Sequence, residues 1–339
     1  RMEDALLQET LERLPRDHLD HPRQQFQRGA VVAEAGARIG GQRHLAHAFG
    51  EAAQIARAVR VDALHQLHRQ LVALAAGRIT GGVSEQGMQG DRLVGRAQLR
   101  AAFPEKDTAW VEATLADAWD NLGRVVGEYV HLDRIWDFDP ARPGAGRIET
   151  DAEPALVAMR DDGKPALLFA AHLANWELPA LAAAAHGLPA AAVYRMPNNR
   201  WVAARIEAIR AGLMGRLIRS RATAVFEMAT ALEHGEHLGM LVDQHWSRGV
   251  EVNFFGRPCR ANPTLARLAR QFDCPVYGVR VIRLPGRRFR LAVTGPVALP
   301  RDAAGEVDVA ASCQLIADVV EGWIREHPAQ WLWFHRRWR

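Results

Sequence analysis

The stretch Leu167-Leu168-Phe169-Ala170-Ala171-His172-Leu173-Ala174-Asn175-Trp176-Glu177 decides the fold. Lys164-Pro165 bounds a short apolar run, and a run of that length reads as a buried strand. After Ala171 the apolar residues recur at helical spacing, through Trp176, Leu178, Leu181 and Ala185 to Gly187. His172 therefore stands where a strand passes into a helix, the place where open α/β sheets bind ligands. Glu177 follows in the first turn of the expected helix, where the loop can fold it back toward the imidazole. A carboxylate beside a ring nitrogen fixes the tautomer and stabilises the imidazolium formed when His takes a proton. His172 and Glu177 are thus a candidate base and its orienter; the plainer reading of such a pair is a surface or capping contact.

Outward from this unit the pattern alternates. Strands are expected at residues 190–195, 237–244 and 251–255, with a short one at 224–226. Two more, at 275–283 and 289–297, meet at Pro285-Gly286. Helices are expected at residues 199–217, 227–233, 264–272 and 308–325, the last with its stripe Val309, Cys313, Ile316, Val320 and Ile324. Upstream, Asp107 or Thr108 caps a helix carrying Val111, Leu115, Trp119, Leu122, Val126 and Tyr129 on one face. Strands separated by helices of this length imply crossovers, hence a mixed, largely parallel α/β sheet flanked by helices on both faces.

Residues 1–95 differ in character. They are rich in Arg, Gln, His, Ala and Gly and read as a loosely helical or disordered segment, with alanine-rich helical patches at 52–59 and 64–76, the second carrying Leu64, Leu67, Leu71 and Leu74. Their histidines keep no fixed ligand spacing and read as solvated side chains. The 339-residue chain has a net charge of +4, and its cations are nearly all arginine, with lysine only at Lys106 and Lys164. Cys259, Cys274 and Cys313 form no C-x-x-C pair and read as reduced, unlinked thiols. No run approaches the ~18–20 apolar residues of a transmembrane helix, so the chain is expected not to be an integral membrane protein.

Three further places carry candidate chemistry. Arg195 closes the strand after the histidine-bearing one, where a guanidinium can hold a phosphate or oxyanion; a structural ion pair is the equal alternative. Asp243-Gln244 closes another strand, where the carboxylate can orient a sugar hydroxyl, anchor Arg195 or stabilise a loop. The tail Trp331-Leu332-Trp333-Phe334-His335-Arg336-Arg337-Trp338-Arg339 interleaves rings with cations. That suits a membrane interface, a nucleic acid, or packing against the core.

Taken together, His172-Leu-Ala-Asn175-Trp-Glu177, Tyr194-Arg195, Asp243-Gln244, Phe254-Phe255-Gly256 and Pro328-x-Gln330-Trp331-Leu332-Trp333-x-His335-Arg336-Arg337 resemble the bacterial lipid A biosynthesis late acyltransferases, of lauroyl and myristoyl type. Ala102-Phe103-Pro104 and Asn121-Leu122-Gly123-Arg124 extend the resemblance, which covers about residues 96–339. It implies a glycerolipid-acyltransferase-like fold and transfer of a fatty acyl chain from acyl carrier protein to a hydroxyl of a lipid A precursor. The place implied is the cytoplasmic face of the inner membrane, without cofactor, metal or nucleic acid. Within it His172 and Glu177 fall on the catalytic dyad, and Arg195, Asp243, Asn175 and Gln244 on substrate-binding positions. Glycerolipid acyltransferases share the H-x4-D/E element but carry a Phe-Pro-Glu-Gly-Thr-Arg block that this sequence lacks, which favours a lipid A acceptor over glycerol phosphate. A glycerolipid acceptor, and a non-catalytic peripheral membrane protein, are the alternatives. Members of that family usually begin with a hydrophobic anchoring helix. Residues 1–95 show none and read as an altered frame or misassigned start, leaving the chain peripheral to the membrane.

Overall fold

The computed structural model describes residues 85–196, 200–221 and 223–338. The patches at residues 52–59 and 64–76, and the amino-terminal histidines, lie outside that range. Two helices come first, α1 (Glu85–Ala102) and α2 (Thr108–Glu128). Asp107 caps α2 by accepting from the Trp110 N–H. A one-turn helix α3 (Leu132–Ile135) leads into strand β1 (Ile148–Thr150) and α4 (Glu153–Asp161). Then follow β2 (Leu167–Ala170), α5 (Leu178–Ala185), β3 (Ala190–Tyr194), α6 (Arg200–Ala211), β4 (Arg216–Arg219), α7 (Ala224–Glu233) and β5 (His237–Leu241). A hairpin of β6 (Val250–Phe254) and β7 (Arg257–Ala261) precedes α8 (Thr264–Phe272). The chain ends with β8 (Val276–Leu284), β9 (Arg288–Thr294) and α9 (Val309–Glu326).

Seven strands form one sheet in the order β1-β9-β8-β2-β5-β3-β4. Every pairing in it is parallel except β8 with β9, which Pro285-Gly286 turns back on itself. The expected mixed, largely parallel α/β sheet is what forms. Strand alternation puts Leu167 and Phe169 into a core with α1, α2 and α7 to α9, while Leu168 packs into a second core with α4 and α5. The helix layers thus cover both faces.

Four local expectations are corrected. The boundary expected near residue 96 falls inside α1, a continuous helix whose Leu99 is fully buried. Within it Gly95 is a packing position: a Cβ there would lie 2.7 Å from Leu115 Cδ1 on α2. Residues 224–226 open helix α7 rather than forming a strand. The helix expected over 199–217 stops at Ala211, and Arg216–Arg219 becomes the edge strand β4, too short and too charged to show a period. β1 and α4, which were not expected, follow a Pro/Gly-rich loop.

Inside the larger core, Phe169 of β2 stacks on Trp323 of α9, centroids 5.6 Å apart and rings 13° from parallel. Gly278 on β8 makes room for that pair, since a Cβ there would sit 2.9 Å from Phe169 and 3.0 Å from Trp323. Neither ring has space to retreat. Gly278→Val should therefore cost about 1–3 kcal/mol by overpacking. Thermal unfolding should show Tm lowered by about 2–4 °C per kcal/mol; an unchanged Tm would mean the rings are free to shift.

Candidate functional site

Because β2, β5, β3 and β4 are parallel neighbours, their carboxyl ends share one edge. Ala170 pairs with Leu241, Val193 with Met240 and Tyr194 with Arg219. That register delivers His172, Arg195 and Asp243 to a single side of the sheet. It also brings together two residues that lie 71 positions apart. His172 Nδ1 lies 2.8 Å from Asp243 Oδ1, and the His172 backbone N–H donates to Asp243 Oδ2 at 2.9 Å. The Trp331 indole N–H donates to the same Oδ2 at 2.7 Å. Asp243 is 2 % exposed at its side chain and the imidazole 14 %, so the ring reaches solvent while its carboxylate does not.

An ionised carboxylate accepts but cannot donate, so the Nδ1 contact is satisfied by a ring proton on Nδ1. Nε2 is then left with its lone pair, facing the Gln244 amide nitrogen at 3.4 Å. Burial by itself would push the Asp243 carboxyl up. The His172 charge, hydrogen bonds from its ring and backbone N–H, and the Trp331 donor outweigh burial and bring it down to about 2.

Glu177 does not fold back onto the imidazole, and the expectation that it orients His172 is corrected. Its Oε1 accepts from the Tyr129 hydroxyl and Arg210 Nη2, each at 2.5 Å, and its Oε2 from Arg210 Nε at 2.9 Å. Both oxygens are thus taken by a buried cluster on the far side of the turn. Arg210 loses ground to burial, but the Glu177 charge and the Tyr129 hydroxyl raise it above its ordinary value. Burial and the Glu177 charge push the Tyr129 phenol well up, so it stays a donor.

Asn175 is also not where a ligand can meet it. It is completely buried; its Nδ2 donates to Glu128 at 2.9 Å and its Oδ1 accepts from the Glu177 N–H. Glu128 in turn pairs with Arg283, whose Nε donates to Asn121. Asn121 Nδ2 donates to the carbonyls of Ala174 and Gln330. These residues hold the turn after β2 in shape, including Ala174 at φ +48°, a conformation an L side chain takes only when its surroundings impose it. Arg195 is exposed at the end of β3, and Gln244 is half-buried beside the imidazole.

The carboxyl-terminal tail is part of the site. Trp331 and Trp333 are 3 % and 0 % exposed, so neither ring is placed for a membrane interface. The tail pairs with the histidine turn through Leu173 and Trp331, through Ala174 N–H to Gln330 O, and through Leu332 N–H to His172 O. Arg337, buried, donates to the carbonyls of Gln244 and Arg260 and lies over the Phe254 ring. Burial pulls its guanidinium below the ordinary value. Gln98 of α1 ties the tail down from behind, donating to the carbonyls of Trp333 and His335. Spacing alone had no means of finding Trp331, Arg337 or Gln98 as neighbours of the pair.

A carboxyl with a depressed pKa stabilises the fold above its unfolded value, near 4, and stops doing so as pH falls through its folded value. For Asp243 that window runs from about pH 4 down to about 2. Between those limits the unfolding free energy of the unmodified chain should fall more steeply than that of Asp243→Asn, by on the order of 2 kcal/mol. Denaturant titrations at stepped pH would show it, and parallel curves would contradict it.

The family model described as bacterial lipid A biosynthesis acyltransferase matches residues 61–339, opening well before the boundary expected at residue 96 and taking in part of the segment whose composition looked foreign. No curated protein matched. Among the described residues no helix is long and apolar enough to cross a membrane. With a match over most of its length and a histidine–carboxylate pair at the sheet edge, the chain belongs to the bacterial lipid A biosynthesis acyltransferase family.

Proposed function

We propose that this acyltransferase moves a fatty acyl chain of lauroyl or myristoyl type from acyl carrier protein to a hydroxyl of a lipid A precursor. His172 is the general base, oriented by Asp243. The observation that carries this reading is the 2.8 Å contact between His172 Nδ1 and a fully buried Asp243, on a ring whose other nitrogen meets the site. A hydroxyl is a poor nucleophile at neutral pH, and a positioned base contributes typically ~10²–10⁴-fold.

Nε2 takes the acceptor hydroxyl proton as the oxygen attacks the thioester carbonyl. The C–O bond forms, the carbonyl oxygen carries the negative charge, and the imidazolium is held by Asp243. On collapse the C–S bond breaks and the proton on Nε2 passes to the departing sulfur. Asp243 stays ionised throughout, as its low pKa favours. The developing oxyanion needs donors. In the turn after β2 the N–H groups of Leu173 and Ala174 already serve Ala171 and Gln330, and those of Glu177 and Leu178 serve Asn175. The N–H of half-buried Trp176 is the one suited to it. Gln244 is suited to meet the acceptor oxygen beside Nε2, and exposed Arg195 to meet acceptor phosphate. Glu177 is a positioning residue, holding the turn through Arg210 and Tyr129. The reaction site is the cytoplasmic face of the inner membrane, where donor and lipid acceptor meet.

Mass spectrometry of lipid A from cells lacking and then regaining the gene should show gain of one acyl mass; an unchanged lipid A would overturn this reading. In purified protein, His172→Ala and Asp243→Asn should each lower kcat roughly 10²–10⁴-fold. Glu177→Gln should act on stability first, because it leaves the buried Arg210 without its counter-charge. Its Tm should fall clearly while kcat per folded molecule stays within about tenfold. Equal losses of kcat in Glu177→Gln and Asp243→Asn, at unchanged Tm, would return the orienting role to Glu177.

A further inference from the structure

Among the described residues four large apolar side chains are markedly exposed: Leu93, Val225, Phe226 and Trp246. Three of them lie at the sheet edge that carries His172. Val225 and Phe226 sit in the first turn of α7, just beyond the carboxyl end of β4, and Phe226 is 75 % exposed. Trp246 follows the carboxyl end of β5 and its backbone N–H donates to the Arg260 carbonyl at 3.2 Å. Exposed arginines stand on the same edge: Arg195 after β3, Arg219 at the end of β4, and Arg248 and Arg260 around Trp246. Arg221 is there too but is bound to Glu227. Glu227 is half-buried, and Glu251 on β6 is exposed.

We infer that this edge is the surface by which the enzyme docks on an anionic lipid bilayer, Phe226, Val225 and Trp246 entering the interface and Arg219, Arg248 and Arg260 meeting the headgroups. Single exposed apolar residues need no explanation, but these share one edge with the catalytic base and alternate with cations. Rings at headgroup depth beside cations facing anionic lipid is the arrangement peripheral proteins use. The apolar residues hang from strands β4 and β5, which are separated by β3, so they are spread along the edge rather than gathered into a groove. Docked this way, the mouth of the site opens onto the layer that holds a lipid acceptor. The inference rests on the lipid-acceptor reading above, and it moves the membrane contact from the buried tail to the sheet edge.

The test uses the full chain and two double variants, Phe226→Ser with Trp246→Ser and Arg219→Gln with Arg248→Gln, all at exposed positions outside the catalytic pair. Cosedimentation is measured with vesicles of phosphatidylglycerol and phosphatidylethanolamine, and with vesicles of phosphatidylcholine alone. The unmodified chain should bind the anionic vesicles and prefer them over the neutral ones. The apolar variant should bind about tenfold or more weakly, since two aromatic side chains no longer leave water. The charge variant should lose the preference for anionic vesicles and its salt dependence. Both should keep full turnover on acceptor dispersed in detergent. Variants that bind as the unmodified chain does, or an unmodified chain that stays in the supernatant, would overturn the inference. So would unchanged vesicle binding with lost affinity for acyl carrier protein, which would assign the arginines to the carrier. Absence of any acyl transfer by the unmodified chain would instead strike the proposed reaction and leave the vesicle result standing.

Discussion

A carboxylate with no access to water must find donors inside the protein, and in this chain Asp243 finds three. Its oxygens receive the ring nitrogen and backbone N–H of His172 and the indole N–H of Trp331. Leaving such a charge buried without them would cost several kcal/mol. Two of the donors belong to His172 and the third to Trp331, so satisfying Asp243 also joins the turn after β2, the end of β5 and the tail. The same contact that satisfies the carboxylate fixes which nitrogen of His172 is free. Stability and chemistry thus depend on one hydrogen-bonded group.

The surrounding polar residues have meaning in relation to that joint. Asn121, Glu128, Arg283 and Asn175 hold the turn from the side of α2 and β8. Glu177, Arg210 and Tyr129 hold it from the side of α6. Gln98 and Arg337 fix the tail that brings Trp331 into place. Each network satisfies groups that burial would otherwise leave unpaired, and together they keep the imidazole within reach of solvent without letting it turn. Few of these residues touch anything that reacts, yet a loose turn here would move the base relative to its carboxylate.

What could be read from the sequence was whatever short-range pattern carries. The run from Leu167 to Ala171 is apolar and bounded by proline, so strand β2 and the position of His172 at its end followed directly. The β8–β9 hairpin and α9 were legible from a proline-glycine turn and a helical stripe. The partner of the histidine was not. Glu177 is close along the chain and drew the assignment, whereas Asp243 is brought alongside by strand register, a long-range property that no local period encodes. The tail shows the same limit. Its tryptophans and arginines have the composition of an interface, and their burial against the histidine turn depends on where α1 and α2 stand.

If Asp243 sets the tautomer of His172, nitrogen NMR on ¹⁵N-histidine-labelled protein should show it. In the neutral His172 ring the proton should sit on Nδ1, with Nε2 bare. Asp243→Asn should disturb this signature and Glu177→Gln should leave it intact. A ring protonated on Nε2, or a signature that follows Glu177 and ignores Asp243, would contradict this.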